Sequence, residues 1–172
     1  MRFTGVCYRA HDPGWSFEPL SGDGAAARGA RFNPRGMKAL YLGLTNLTAV
    51  KEANQGLAFK IQPCVLCSYE VDCEDIADLR TERERAALDV RLEDMACAWF
   101  SFLADGKPPP SWEVVRQLLK AGHAGVLVPS FAPGAGEDDH NLVLWRWGES
   151  PPHSVRVFDP GARLPRNWRS WE

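Results

Sequence analysis

The sequence lacks any apolar run long enough to cross a bilayer, and its first residues, MRFTGVCYRA, lack the apolar core of a signal peptide. It also lacks an excess of charge of one sign, because 20 basic residues stand against 22 acidic residues for a net charge of −2. Nonspecific nucleic-acid binding requires a clearly basic surface. We therefore expect a cytoplasmic protein that contacts neither membrane nor nucleic acid directly.

Cysteines are too few and too irregularly spaced for a disulfide framework. There are five, an odd number, and we expect them to be reduced thiols. Cys64 and Cys67 have the CxxC spacing of a zinc site, but no second pair of Cys or His residues follows at ligand spacing. The surrounding CVLCSYEV is more typical of a buried strand, so we expect no metal.

The usual signatures of nucleotide and hydrolase sites are incomplete. GDGAAARG and GAGEDD contain Gly-x-Gly, but neither follows a strand and opens a helix as a dinucleotide fingerprint does, and there is no P-loop lysine. Ser130, in VPSF, is not in a Gly-x-Ser-x-Gly elbow. The acidic stretch EDDHN at 137–141 is conceivable as a metal or acid/base site, but its Gly- and Pro-rich surroundings favour a solvated loop.

What is present is a mixed succession of strand and helix patterns in 172 residues, a length typical of one domain. A Gly/Pro-rich loop is predicted at 11–29. Because strands and helices do not alternate regularly, the predicted fold class is α+β, in a single domain over 1–172. The predicted strands lie at 3–9, 30–33, 39–43, 64–71, 125–130, 141–147 and 154–159.

Two later helices are predicted from capping residues and helical spacing. Thr81 and Glu84 form a capping box, and the helix that it begins, continuous or interrupted, carries apolar residues at helical spacing. Ser111 is predicted to cap a second helix that ends at Gly122. The apolar residues of the first helix are Leu88, Leu92, Met95, Trp99 and Leu103.

An earlier helix carries an acidic residue among small neighbours. The pattern predicts that it begins with Thr45 or Asn46 as its cap and runs to about Leu57. Glu52 shares one side of this helix with small residues. A carboxylate among small residues leaves room for a ligand or for close packing of another element. The small residues are Thr48, Ala49, Ala53 and Gly56.

Arg31, Tyr41 and Glu52 are connected by short strand, turn and helix segments, so we expect them to lie near one another. An arginine fork matches the oxygens of a diphosphate, and a tyrosine ring can stack on a flat heterocycle. A carboxylate can stabilise an oxocarbenium-like centre electrostatically. The residues alone favour a structural interpretation, with Glu52 solvated, Tyr41 in the core and Arg31 paired with an acid.

The order of several short motifs resembles the RES domain family. The motifs are YRA near the start, GARFNPRG, ALYLG, the helical KEA, the late VPS and a strand that opens with Asn. The likeness runs from about Tyr8 to the DPGARLPRNW end. The family is named for its arginine, glutamate and serine, and its members are toxins of Xre–RES toxin–antitoxin pairs. The resemblance implies a fold related to the ADP-ribosyltransferase toxins and NAD⁺ as the substrate.

The resemblance also implies three catalytic residues. Arg31 matches the family arginine in its G-x-R-F segment and is expected to hold the NAD⁺ diphosphate. Tyr41 matches the tyrosine of an aliphatic-Tyr-aliphatic strand and is expected near the nicotinamide. Glu52 matches the family glutamate, and its role as stabiliser of the oxocarbenium is a hypothesis, since classical ADP-ribosyltransferases place their glutamate late in the chain.

Three further residues are expected to contact NAD⁺ with Arg31 and Tyr41. Ser130 matches the late family serine, and Arg9 matches a second recurrent arginine. The assignment of Asn141 as a ligand contact rests only on its position at the start of the strand after the serine.

Within the family, the chain looks closest to ParT-like members, which transfer ADP-ribose to a protein. The expected function is therefore a mono-ADP-ribosyltransferase toxin, with an NAD⁺ glycohydrolase or phosphorylase as the alternative. Its expected partners are a protein acceptor and an Xre/ParS-type antitoxin that covers the active site at the loops 11–28 and 133–140. A non-enzymatic alternative is an adaptor that docks through the C-terminal tail with Trp168 and Trp171.

Overall fold

The computed structural model describes residues 1–54 and 62–171, and within them the strands form one mixed sheet. The strands are β1 (Phe3–His11), β2 (Leu40–Gly43), β3 (Val65–Cys73), β4 (Ile76–Asp78), β5 (Gly125–Pro129), β6 (His140–Leu144) and β7 (His153–Val157). Their spatial order is β4-β5-β6-β2-β1-β3-β7. Neighbouring strands are antiparallel except for the parallel pair β4 and β5.

The helices are short, and most lie in the long connection between the two parallel strands. A parallel pair needs such a crossover, because the chain must return to the same end of the sheet. No helix in the described part of the chain is long and apolar enough to span a bilayer. The helices are α1 (Asp23–Arg28), α2 (Asn46–Ala53), α3 (Glu82–Ala87), α4 (Leu92–Ala96), α5 (Trp99–Ala104) and α6 (Pro110–Lys120), with 3₁₀ helices at Pro13–Trp15 and Trp168–Trp171.

The central strands are buried on both faces. In β6, Val143 packs into one core cluster with Trp145, whereas Leu142 and Leu144 pack into the other. In β5, Leu127 belongs to this second cluster, while its neighbours on either side belong to the first. This alternation follows from the two-residue period of a strand. The first cluster also includes residues of α4 and α6, and it lies on the face that carries the candidate site.

The sheet confirms the predicted α+β class and most of the predicted strands, with two corrections. Residues 30–33 do not form a strand but a tight turn closed by a bridge between Ala30 and Asn33. The sequence analysis also missed β4, a three-residue strand. Cys67 is buried in β3 as the strand interpretation of the CxxC motif predicted, and the described residues contain no cluster that could hold a metal ion.

The capping predictions hold at two helices and fail at a third. Thr45 caps α2 by accepting a hydrogen bond from Thr48 N at 3.0 Å. The capping box at Thr81 begins α3, and the predicted long helix is interrupted into α3, α4 and α5. Ser111 does not cap α6, because the N-cap is Pro109 and Ser111 lies buried in the first turn. The predicted end of α2 near residue 57 lies outside the described residues.

The predicted loop 11–29 contains a 3₁₀ helix and α1, and one buried and one half-buried side chain anchor its middle part. Tyr69 Oη donates to Pro19 O at 2.9 Å, and Trp147 Nε1 donates to Leu20 O at 3.0 Å. His11 also hydrogen-bonds to the Tyr69 hydroxyl. Side chains thus satisfy backbone carbonyls that have no strand partner.

The buried His11 predicts how stability changes with pH. Burial, with a smaller effect of the Arg9 charge, lowers the pKa of His11 to about 4. An unfolded histidine binds its proton near pH 6.5, so the unfolded state takes up the proton first as the pH falls. The stabilisation from neutral His11 is therefore complete above about pH 6.5 and decreases toward pH 4. In urea unfolding over this range, His11→Gln should show a shallower loss of stability than the wild type, and equal slopes would contradict the assignment.

Candidate functional site

The carboxylate of Glu52, near the end of α2, is held by two residues from the far side of the sequence. Ser130 Oγ donates to Glu52 Oε1 at 2.6 Å, and Asn141 Nδ2 donates to the same oxygen. Ser130 directly follows β5, and Asn141 lies in β6 opposite Val128 of β5. The structure therefore brings together the glutamate, the serine and the asparagine that the sequence analysis selected.

This meeting depends on the close approach of α2 to the sheet. Gly43, in β2, pairs with Asn141 in β6. A Cβ atom at Gly43 would lie 2.7 Å from the backbone nitrogen of Ala49 in α2, closer than real Cβ contacts allow. Thr48 and Ala49 are buried and Leu47 is exposed, so at these positions α2 packs closely against the sheet, which is one of the two outcomes that the small residues predicted.

Arg31 lies in a turn whose backbone is held by side chains from distant elements. The three donors are a hydroxyl and two indole N–H groups, and they reach three successive carbonyl oxygens. The three hydrogen bonds run from Trp112 Nε1 to Ala30 O at 2.8 Å, from Ser111 Oγ to Arg31 O at 2.5 Å and from Trp145 Nε1 to Phe32 O at 2.8 Å. The carbonyls thus bond to side chains where a strand would bond to a neighbouring backbone.

Tyr41 completes this clamp through its hydroxyl. Its Oη accepts a hydrogen bond from Phe32 N at 3.0 Å and donates to Asn33 Oδ1 at 2.8 Å. Burial raises the pKa of Tyr41 above its usual range, so the phenol stays protonated and can donate. The hydroxyl thus fixes the position of the Arg31 turn, and the role of the ring near nicotinamide stays a prediction.

The guanidinium of Arg31 is fixed at one end. Its Nη1 donates to Met95 O at 2.8 Å and to Cys97 O at 2.6 Å, and its Cζ lies 4.7 Å from the ring centre of Phe131. An arginine has three further N–H groups on Nε and Nη2. Burial lowers the pKa of Arg31, while Cys97 and Glu52 act in the opposite direction. The arginine stays charged but loses favourable hydration, which an anion would replace.

Arg9 has a similar arrangement on another part of the wall. Its Nη1 donates to Pro19 O at 3.4 Å and Ser21 O at 3.0 Å, and burial lowers its pKa. Strand alternation places Arg9 on the face of β1 that also carries Cys7, a residue of the second core cluster. Arg9 therefore anchors the segment before α1, and a direct contact with ligand stays a prediction.

These residues, except Ser130, line one cavity of about 410 Å³, within the usual range for small-molecule sites. Trp99 and Phe131, which the sequence analysis did not select, line it as well. Asn141 is 7% exposed, and its Oδ1 has no hydrogen-bond partner among the described residues. Such buried acceptors are uncommon, so this atom points to a donor supplied by a ligand or water. The five selected residues on the wall are Arg9, Arg31, Tyr41, Glu52 and Asn141.

Of two surface segments with predicted roles, only the acidic stretch differs from its predicted character. In the acidic stretch at 137–141, Asp139 is only 9% exposed and forms an ion pair with Lys51 at 2.6 Å, so the stretch is not simply a solvated loop. The C-terminal 3₁₀ helix Trp168–Trp171 lies against Pro13–Trp15, and Trp168 remains 55% exposed beside Arg169.

Replacement of Tyr41 by Phe tests the clamp on the Arg31 turn. The change removes the hydroxyl and leaves Phe32 N and Asn33 Oδ1 without this partner. Because unsatisfied buried groups destabilise a fold, the free energy of unfolding should fall by about 1–3 kcal/mol. Urea unfolding measures it, with the exposed Trp168→Phe as a control that should stay within about 0.5 kcal/mol of wild type. An unchanged stability in Tyr41→Phe would contradict the clamp.

Comparisons with known proteins agree with this architecture. None of the curated proteins matches the sequence. Among solved structures, the chain is similar to one in the crystal structure of the M. tuberculosis MbcT–MbcA toxin–antitoxin complex, with a TM-score of 0.66 and 23% identity over 92% of this chain and 84% of that chain. This match confirms the predicted α+β fold. The RES domain model matches residues 6–168, and the chain therefore belongs to the RES domain family.

Proposed function

We propose that the protein is the toxin of a toxin–antitoxin system and that it cleaves the nicotinamide–ribose bond of NAD⁺ and transfers ADP-ribose to a protein. The observation that carries this proposal is the Glu52 carboxylate, held by Ser130 and Asn141 at the wall of a cavity that Arg31 also lines. Membership of the RES family and the likeness to a toxin–antitoxin structure support it.

The charge of the cavity suits a dinucleotide diphosphate. Arg31 is half-buried and, within the described residues, forms no ion pair with a carboxylate. A diphosphate would accept hydrogen bonds from its remaining N–H groups in the fork geometry that guanidinium offers. Arg9 also lines this cavity, but strand alternation directs its side chain toward the other face of the sheet. The aromatic rings of Tyr41 and Trp99 offer apolar surface for the flat rings of the substrate.

The proposed reaction breaks the bond between the ribose C1 and the nicotinamide nitrogen, and the bonding electron pair leaves with nicotinamide. The ribose then carries oxocarbenium character, which the nearby Glu52 carboxylate stabilises. Ser130 and Asn141 orient this carboxylate before substrate arrives, so that little reorganisation is needed during the reaction. The acceptor donates a lone pair to C1 and loses its proton to solvent. Asn141 Oδ1 can accept a hydrogen bond from a substrate hydroxyl or amide.

Glu52→Gln tests the proposed function, because it keeps the shape of the side chain and removes its charge. Purified protein is incubated with NAD⁺ labelled in the adenylate half, with and without bacterial lysate, while nicotinamide release and label on protein are followed. We expect label on a lysate protein with the wild type and a reduction of about 10²–10³ in rate with Glu52→Gln. The exposed Glu70→Gln is a matched control that should keep the wild-type rate.

The possible products separate the candidate reactions. Nicotinamide release with only free ADP-ribose, or with its phosphate, would replace the transferase by a glycohydrolase or a phosphorylase. Nicotinamide release at the wild-type rate in Glu52→Gln would remove Glu52 from the mechanism. If the wild type turned over no NAD⁺, the adaptor alternative would be favoured. Loss of the biological effect on removal of residues 168–171 would then support it.

An antitoxin of the Xre/ParS type is the proposed partner, and it would cover the mouth of the cavity. Gly24 and Arg28 of α1 line the cavity from the 11–28 segment, so a protein seated there would block the entry of NAD⁺. We expect nicotinamide release to fall to background at a stoichiometric amount of antitoxin. The complex is verified by size-exclusion chromatography, and unchanged release from the saturated complex would refute entry blocking.

A further inference from the structure

The loop between β5 and β6 ends at Asp139, a buried carboxylate beside an exposed acidic neighbour, Asp138. Asp139 Oδ1 accepts a hydrogen bond from Thr48 Oγ1 at 2.6 Å. Its Oδ2 accepts from Lys51 Nζ at 2.6 Å and from Gly136 N at 2.8 Å. These donors lower the pKa of Asp139 to about 2, with Lys51 as the largest cause, so the side chain is ionised throughout the physiological range.

The partners of Asp139 lie on the helix that carries Glu52 and on the segment that carries Ser130. Thr48 and Lys51 precede Glu52 on α2 by four residues and by one residue. The backbone carbonyl of Asp139 accepts a hydrogen bond from Ser130 N at 2.7 Å. A single residue thus fixes both the helix that carries the carboxylate and the segment that carries its hydroxyl donor.

We infer that Asp139 is a positioning residue that sets the Glu52 carboxylate against Ser130 and Asn141. The hydrogen bonds form a closed ring of contacts: Glu52 bonds to Ser130, Ser130 bonds to Asp139, and Asp139 bonds back to α2. Asn141 lies two residues beyond Asp139, so the register of its donor depends on the same anchor. The catalytic consequence rests on the proposed function of Glu52, whereas the geometric consequence does not.

Asp139→Asn breaks part of this ring of hydrogen bonds with almost no change in side-chain size. An amide oxygen can still accept from Thr48, but the –NH₂ group then faces Lys51 and Gly136 N, which are themselves donors. The end of α2 loses its charged anchor, and the Glu52 carboxylate moves relative to its two donors. Misplacement of a catalytic group by about 1 Å can reduce the rate by about 10²-fold.

The test compares Asp139→Asn with Asp138→Asn, the same change at the exposed neighbouring position. For NAD⁺ turnover, we expect kcat to fall about 10- to 10²-fold in Asp139→Asn with KM within about twofold, because the carboxylate acts in the transition state and not in substrate binding. Asp138→Asn should match the wild type. Since Asp139 and Ser130 act through the same carboxylate, the double variant with Ser130→Ala should lose less than the product of the two single losses.

A second readout requires no turnover. The side-chain amide of Asn141 donates to Glu52, and its NMR resonances are identified by their loss in Asn141→Ala. They should shift in Asp139→Asn and keep their wild-type positions in Asp138→Asn. If Asp139→Asn fails to fold in thermal unfolding, Thr48→Val removes one anchor bond at nearly constant volume and is judged by the same two readouts.

The outcomes separate this inference from the proposed function. A kcat in Asp139→Asn equal to that of Asp138→Asn, or a reduced kcat with unshifted Asn141 resonances, would overturn the positioning role. If the wild type turned over no NAD⁺, the proposed function would fail, and the Asn141 resonances alone would decide whether Asp139 positions Glu52.

Discussion

The hydrogen bonds to the carboxylate of Glu52 join segments that are far apart in the chain. Ser130 and Asn141 follow Glu52 by 78 and 89 residues, and both donate to its Oε1. For these bonds to form, β2 must pair with β6, and α2 must lie directly on β2, which the missing side chain of Gly43 permits. The candidate site is therefore a consequence of strand order, and it assembles only when β2, β6 and β5 are paired.

The position of Arg31 in the site depends on backbone groups that have no strand partner. The turn at 30–33 carries Arg31, and side chains from α6, β2 and the end of β6 hold its polar backbone atoms. Buried backbone groups need partners, and distant indole, hydroxyl and phenol groups supply them here. Within the described residues this arrangement holds Arg31 in place without an ion pair to a carboxylate, so three of its N–H groups stay available to an anion.

Both arginines of the cavity are oriented by carbonyl oxygens. Nη1 of Arg31 and Nη1 of Arg9 each donate to two carbonyls, which are polar but carry no net charge. A carboxylate in their place would neutralise the cation and compete with phosphate oxygens. Asp139 differs from these arginines, because the charge of Lys51 compensates its own charge directly.

Local sequence signals determined the elements with strong local chemistry. Short apolar segments predicted the central strands, and Thr45 and the Thr81 capping box predicted two helix starts. Small residues beside Glu52 predicted a helix side with room for a ligand or for close packing. The ordered family motifs predicted which arginine, tyrosine, glutamate, serine and asparagine belong to the candidate site. Tertiary structure decided the rest, because the turn at Arg31, the internal position of Ser111 and the burial of Asp139 all depend on partners more than 60 residues away. A hydrogen bond between distant residues leaves no periodicity in the sequence, and only the folded chain reveals it.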